Sequence, residues 1–531
     1  MRRWNGWGDD TTGYPLPGGA FRFLAARLGE SAPPKEASFE DVLKTVPDSR
    51  LPPHPLVNHD PVERVRHARG QSMPDWVALR SGRVGVFPDG VAYPMSAEDV
   101  RALIRYAAET GARLIPYGGG TSVVGHINPL PGGRPVLTVN MSRMNRLERL
   151  DETTLLATFG AGVSGPDLEA QLRARGYTLG HYPQSFECST LGGWIAARSS
   201  GQQSLYYGRI ESLFVGGQVE TPGGHLVLPN VPASAAGPNL REIVLGSEGR
   251  LGIITEATVR VSPLPEREEF SAVFFPHFEN GLTAVREIVQ ARLPLSMLRL
   301  STAVETETTL ALAGHERLIG ALERYLSLRG ARSDKCLLVF AFTGGRALGG
   351  VTIKETLRIA GSRGGVHVGD VFGRQWQKSR FRTPYLRNTL WERGYAVDTL
   401  ETATTWTNTP TMITAIETAL RGALADLGER IHVFTHLSHV YPHGTSVYTT
   451  YVFRLASDAD ETLRRWLMLK KAASEAVVAN GGTISHQHGV GIDHAPYLAA
   501  EKGEAGMKAL RDVLASFDPE GVMNPGKLIV P

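Results

Sequence analysis

The chain is 531 residues long, more than one hydrophobic core can organise, so two or more domains are expected. Its 42% apolar and 21% charged content is that of an ordinary soluble globular protein. A net charge of +3 over 56 basic and 53 acidic side chains excludes the bulk field of a nucleic-acid or membrane-surface binder.

The 59 glycines exceed average usage and point to many close backbone approaches. Only Cys188 and Cys336 could form a disulfide, and their wide separation favours a reducing compartment. The opening Met1-Arg2-Arg3-Trp4-Asn5 lacks an apolar signal core, no run of 18 apolar residues occurs, and Leu528-Ile529-Val530-Pro531 is no peroxisomal address. A cytoplasmic protein is expected.

In chain order, residues 1–88 are rich in proline and charge, with helical pieces at Phe21–Leu28 and Phe39–Thr45. They read as a partly helical arm around the body. Residues 89–268 alternate short strands and helices. Ser96 caps a helix whose Val100, Leu103, Ile104 and Ala107 share one face, and Gly111 stops it. Strands follow at Arg113–Ile115, Val136–Val139 and Leu155–Phe159. A helix is expected over Pro166–Arg175, and strands at Phe214–Thr221 and Ile253–Val261. From 269 to 505 the elements lengthen, with strands at Ser271–Phe275, Cys336–Thr343 and Ala396–Thr399. A hairpin over Val433–Arg454 turns through Pro442-His443-Gly444, which predicts a second domain on an antiparallel sheet. Residues 506–531 read as a C-terminal tail returning to the first domain, turn-rich from Asp518 to Lys527.

Three glycine-rich stretches fall within 89–268. In Pro116-Tyr117-Gly118-Gly119-Gly120-Thr121-Ser122, consecutive glycines strip the turn of Cβ atoms and let amide N–H groups converge on an anion such as a diphosphate. This is neither a G-x-G-x-x-G fingerprint nor a P-loop, and alone it is no more than a flexible turn. The second, Ser189-Thr190-Leu191-Gly192-Gly193-Trp194, continues through Ala197-Arg198-Ser199-Ser200-Gly201. The third, Gly246-Ser247-Glu248-Gly249-Arg250-Leu251-Gly252, runs straight into a strand. Three such turns in one region suit an extended dinucleotide of flavin size.

These stretches resemble the flavin-binding domain of the vanillyl-alcohol oxidase superfamily and, within it, the alkyldihydroxyacetonephosphate synthase family. Arg3-Trp4-Asn5-Gly6-Trp7-Gly8, Ser189–Gly201, Gly246–Ala257 and Ser485–Gly491 match that family in order. The resemblance implies an α+β fold: a PCMH-type, two-subdomain FAD-binding domain plus a cap domain with an antiparallel β-sheet flanked by helices. It assigns FAD to Pro116, Tyr117, Gly118, Gly119, Gly120, Thr121 and Ser122. From the second stretch it adds Pro183, Gln184, Ser185, Phe186, Glu187, Cys188, Ser189, Gly192, Gly193, Ala197, Arg198, Ser199 and Ser200. From the third come Glu248, Gly249, Arg250, Leu251, Gly252, Ile253 and Ile254. No histidine lies in the first glycine turn, so FAD is expected to be non-covalent.

The implied activity replaces the fatty acid of acyl-dihydroxyacetone phosphate by a fatty alcohol, through an adduct on flavin N5 and without net redox change. On this reading Tyr441 is the acid/base, Arg387 the anchor for the anionic substrate, and His486 and His488 the histidine-rich segment. Without the resemblance Tyr441 reads as a packing residue of a hairpin. Gln487 departs from the family, which has a third histidine there; glutamine shuttles no proton near neutral pH. The alternative is therefore an FAD-dependent dehydrogenase or oxidase of a 2-hydroxy acid or a glycerol phosphate, and a non-catalytic flavin-binding protein is a third class. His432, His436, His439 and His443 invite a metal. Relatives that oxidise hydroxy acids would place ligands at His439 and at two positions that are Ser446 and Gln487 here, so no metal is expected. The expected partners are a small-molecule or lipid substrate and a second copy of the chain, with transient membrane contact and no nucleic acid. Phe21, Phe23 and Leu24 beside Arg22 and Arg27 offer a possible lipid-facing arm.

Overall fold

The computed structural model describes residues 2–314 and 316–529. It has the expected α+β architecture. The first glycine turn ends a small sheet in which Gly90–Ala92, Val136–Asn140 and Arg113–Tyr117 run parallel, with Val57–Asn58 antiparallel at its edge. Helix Ala97–Thr110 covers it. Ser96 accepts the N–H of Asp99 at its start, and Gly111 ends it in a left-handed conformation. A second, antiparallel sheet has the order Leu147–Asp151, Leu156–Gly160, Ile253–Arg260, Phe214–Thr221, Gly224–Leu228. Two cores result, one around Val100, Leu103 and Leu137, the other around Phe159, Trp194 and Phe214.

The third sheet is antiparallel throughout its main path: Val366–His367, Arg267–Phe275, Cys336–Gly344, Leu295–Ser301, His432–Leu437, Gly444–Arg454, Tyr395–Thr405. Val440–Tyr441 folds back on the start of Gly444–Arg454. Strand Tyr395–Thr405 is far longer than the four residues expected, because it pairs without interruption from Tyr395 opposite Arg454 to Thr405 opposite Gly444. Its second half, Thr402-Ala403-Thr404-Thr405, carries no apolar alternation; β-branched threonines and a full-length partner hold it extended.

The N-terminal segment is more than a surface wrap. Trp7 and Trp76 belong to the core of this third sheet, and helix Met73–Ser81 packs on helix Ala459–Ala479. Near the other end, Met523 bridges to Leu114, and the Asn524 N–H donates to the Leu114 carbonyl at 2.7 Å. No helix among the described residues is long and apolar enough to cross a membrane.

Candidate active site

A cavity of about 1030 Å³ lies between the glycine-rich loops and the third sheet, at the upper end of the volumes that small-molecule sites span. Its first wall is backbone. A Cβ on Gly118 would collide with the Thr190 hydroxyl, one on Gly119 with the Cys188 carbonyl, and one on Gly120 with the Tyr117 hydroxyl. Gly120 and Gly249 also have positive φ, at +64° and +74°. The first and second stretches are thus pressed together face to face, closer than any side chain permits. The Tyr117 hydroxyl is buried there and has no hydrogen-bond partner among the described residues.

Most of the predicted cofactor residues line this cavity: Pro116 to Ser122, Pro183 to Ser185, Ser189, Gly192, Gly193, Ala197, Ser199, Ser200, Glu248, Gly249, Gly252, Ile253 and Ile254. Six do not, each for a visible reason. Phe186 stacks on Phe381 and Leu251 sits in the second core. Glu187 accepts from the Tyr385 hydroxyl, and Cys188 offers its carbonyl to the Gly119 approach. Arg198, in a left-handed conformation at a helix end, pairs outward with Glu242 at 2.9 Å. Arg250 donates to the Asn524 carbonyl.

The opposite wall is made of side chains. Arg387, on helix Leu386–Trp391, lines the cavity with its guanidinium over the Trp76 ring at 4.5 Å. Nη1 donates to the Gln71 carbonyl at 2.5 Å, while Nη2 is buried without a hydrogen-bond partner among the described residues. Gln487 and His488 also line it, and the Gln487 Oε1 likewise lacks a donor. An unsatisfied donor and an unsatisfied acceptor at a cavity wall mark a polar ligand.

Tyr441 and His486 do not line the cavity. They stand behind His439, which does, and which stacks on His486 at 5.1 Å while its Nδ1 meets Ser200 and Ser204. Arg209 holds them there. Its Nη1 donates to the Tyr441 hydroxyl at 3.1 Å and lies 2.6 Å from His486 Nε2, and its Nη2 donates to the His486 carbonyl at 2.8 Å. The Tyr441 hydroxyl is 2.6 Å from the same Nε2. A guanidinium can only donate, so Nε2 must carry the lone pair and Nδ1 the proton. Nδ1 faces Glu401 Oε2 at 3.3 Å without completing an aligned hydrogen bond.

Glu401 organises the whole segment. Its Oε1 accepts from Ser485 Oγ at 3.1 Å and from the backbone N–H groups of His486, Gln487 and His488 at 3.0, 2.6 and 2.9 Å. Burial works to raise its pKa, but His488, His486 and the Gln487 N–H outweigh it and hold the carboxyl well below the usual range. Burial pushes His486 down and keeps it neutral, with Glu401 opposing. Burial raises Tyr441, against the Arg209 charge.

The other hairpin histidines are engaged separately: His432 with Thr308, His436 with Glu305. Among the described residues no three His, Cys, Asp or Glu side chains are grouped to hold a metal ion.

Comparison with known proteins bears directly on this cavity. A family model described as an FAD binding domain matches residues 88–228, and one for the C-terminal domain of FAD linked oxidases matches 264–528. The alkyldihydroxyacetonephosphate synthase of Dictyostelium discoideum is 32% identical over 88% of this chain and 78% of its own length. That of Trypanosoma brucei brucei is 30% identical over 99% and 92%.

The chain belongs to the alkyldihydroxyacetonephosphate synthase family. A solved structure of such a synthase superposes with a TM-score of 0.84 at 26% identity, covering 99% of this chain and 98% of that one. FAD is the cofactor, and the glycine wall with its orphaned Tyr117 hydroxyl fits it. Within the family framework the residues missed from the sequence are Arg209 and Glu401, while His439, weighed there only as a metal ligand, lines the cavity. Glu401 left one trace: with Asp398, it is a carboxylate in a strand otherwise of apolar, aromatic and β-branched residues.

Proposed function

We propose that the protein exchanges the acyl chain of acyl-dihydroxyacetone phosphate for a fatty alcohol, a step of ether-lipid synthesis. The observation that carries this is one cavity joining three environments. The glycine wall suits FAD, the buried Arg387 offers an unused donor, and an apolar arm runs past Leu310, Leu312, Ile319, Leu322, Val339 and Phe372. A dinucleotide, an anionic head and a long chain call for those three surfaces.

Arg387 anchors the phosphate, since its fork keeps one nitrogen free after stacking on Trp76. Tyr441 holds and releases the substrate proton: its hydroxyl passes it to His486 Nε2, which Glu401 keeps as the base tautomer by facing Nδ1. Arg209 lowers the cost of a tyrosinate at the same oxygen. Tyr441 and His486 do not line the cavity, whereas His439, stacked on His486, does, so contact of the phenol with substrate requires a side-chain movement here. Gln487, which moves no proton, orients substrate through its free Oε1 while Arg209 supplies the charge beside Tyr441. FAD, when bound, supplies an electron-pair donor and acceptor for an exchange with no net redox change. FAD is held here without a covalent bond. Exposed Leu318 and Val371 at the cavity support transient docking on a lipid surface.

The test is product analysis. With acyl-dihydroxyacetone phosphate, isotopically labelled 1-hexadecanol and no electron acceptor, labelled alkyl-dihydroxyacetone phosphate and free fatty acid are expected in equal amounts. Turnover only on a hydroxy acid or a glycerol phosphate, with consumption of an electron acceptor, overturns the proposal in favour of a dehydrogenase.

A further inference from the structure

Three cavity-lining side chains have no part in the roles above: Arg299, Glu305 and His436. Arg299 lies on strand Leu295–Ser301. Glu305 is in the first turn of helix Ala303–Ala313, capped by Thr302, and His436 is paired to Ser301 across the sheet. They form one buried group, with side-chain exposures of 18%, 5% and 12%. His436 Nδ1 is 3.0 Å from Glu305 Oε2 and 3.1 Å from Arg299 Nη2. The Arg299 guanidinium also pairs with the Glu305 carboxylate, and its Nη1 donates to Ser301 Oγ at 2.9 Å.

Their place along the cavity is fixed by their neighbours. On the flavin side, Tyr448 stacks on His436 at 4.8 Å, and its hydroxyl lies 3.5 Å from Gln184 Oε1 of the flavin-side wall. On the other side, the helix that carries Glu305 continues along the cavity through Thr308 to Leu310 and Leu312. The trio is a polar collar where the flavin half passes into the apolar arm. An arm that only packed a chain would need no such group, because burying a guanidinium and a carboxylate beside apolar walls is costly.

The collar's charge decides what it accepts. Arg299 and Glu305 cancel, and burial pushes the His436 pKa down, leaving the ring neutral. Burial opposes ionisation of Glu305, but Arg299 and His436 hold it down at about 2, so the carboxylate persists at every working pH. An alcohol hydroxyl can donate to Glu305 or His436 and accept from Arg299. A carboxylate can only accept, and it brings a second negative charge against Glu305. In the proposed exchange, on which this inference rests, the incoming chain ends in a hydroxyl and the outgoing chain leaves as a carboxylate.

We propose that Arg299, Glu305 and His436 form the seat of the incoming long-chain primary alcohol, and that Glu305 turns the departing fatty acid out of it. The probes are 1-decanol, decanoate and decane, measured at pH 7 by displacement of a fluorescent alkyl probe from the FAD-loaded protein. The wild type is expected to bind decanol about 10-fold or more tighter than decanoate. Glu305→Gln is expected to tighten decanoate about 10-fold and leave decane unchanged. His436→Phe, which keeps the stack on Tyr448, is expected to weaken decanol about 5-fold, again with decane unchanged.

Equal affinity for alcohol and acid in the wild type overturns the proposal even if neither variant folds. So does a Glu305→Gln protein whose alcohol-to-acid ratio stays within about twofold of wild type. Because binding is read without turnover, the two ideas fail separately. A discriminating collar in a protein that forms no alkyl product sinks the synthase reading alone, and exchange with an indifferent collar sinks this one.

Discussion

On the flavin side the cavity wall is backbone brought into contact by missing Cβ atoms at Gly118, Gly119 and Gly120, whereas the opposite side is one of buried polar side chains, with Arg387 lining it and a network around Glu401 and Arg209 set outside the lining, all held by hydrogen bonds. The first wall is mainly shape, with its one close ionisable pair, Glu248 and His126 at 3.2 Å, beside the glycines. The second has chemistry, but its shape depends on keeping carboxylates and guanidinia paired away from water. Steric substitutions at the glycines should therefore break the first. Charge substitutions that conserve volume should break the second while FAD stays bound.

The largest expected effect is on the backbone wall. In Gly119→Val the new side chain meets the Cys188 carbonyl, a backbone atom that cannot swing aside. The purified variant should be colourless, its 450 nm absorbance near zero at wild-type yield. Full flavin content in that variant would mean the two loops are not pressed together as described.

Next comes Glu401→Gln, which conserves volume but removes the charge and puts an N–H where an acceptor stood. FAD content should not change, while kcat should fall about 10²-fold, the usual worth of a positioned acid–base group. The informative readout is nuclear magnetic resonance of ¹⁵N-labelled histidine. In the wild type His486 carries its proton on Nδ1, and in the variant that preference should weaken. Unchanged histidine shifts alongside reduced activity would assign Glu401 a purely structural role and end the comparison drawn here.

The same contrast governs what the sequence could tell. The glycine wall was legible because its information is local: three adjacent glycines specify a turn, and Phe214–Thr221 was recognisable as a strand from its own residues. The network around Glu401 and Arg209 has no local signature. Glu401 and His486 are 85 residues apart, and Arg209 is 277 from His486. Arg209 in isolation reads as a surface arginine. Tyr441, Arg387, His486 and His488 came from the family resemblance, which could not foresee that Tyr441 and His486 would sit behind His439. Strand Tyr395–Thr405 was read short for a related reason, since its length is set by a partner some fifty residues on.

The smallest effect expected is a pH dependence of stability arising at Asp493, just beyond the histidine segment. Its Oδ2 is buried without a hydrogen-bond partner among the described residues, and burial, reinforced by Asp75 and Asp398 and opposed by Lys470 and His126, pushes its pKa up to about 7. In the unfolded chain the same carboxyl ionises near pH 4. Between roughly pH 4 and 7 the unfolded state therefore gives up a proton that the folded state keeps, so this group's contribution to stability declines as pH rises and levels off above 7. Asp493→Asn cannot ionise, so the difference in melting temperature, variant minus wild type, should grow from pH 4.5 to 7 and then hold constant, with flavin content unchanged throughout. A constant difference across the whole range would place Asp493 in contact with water.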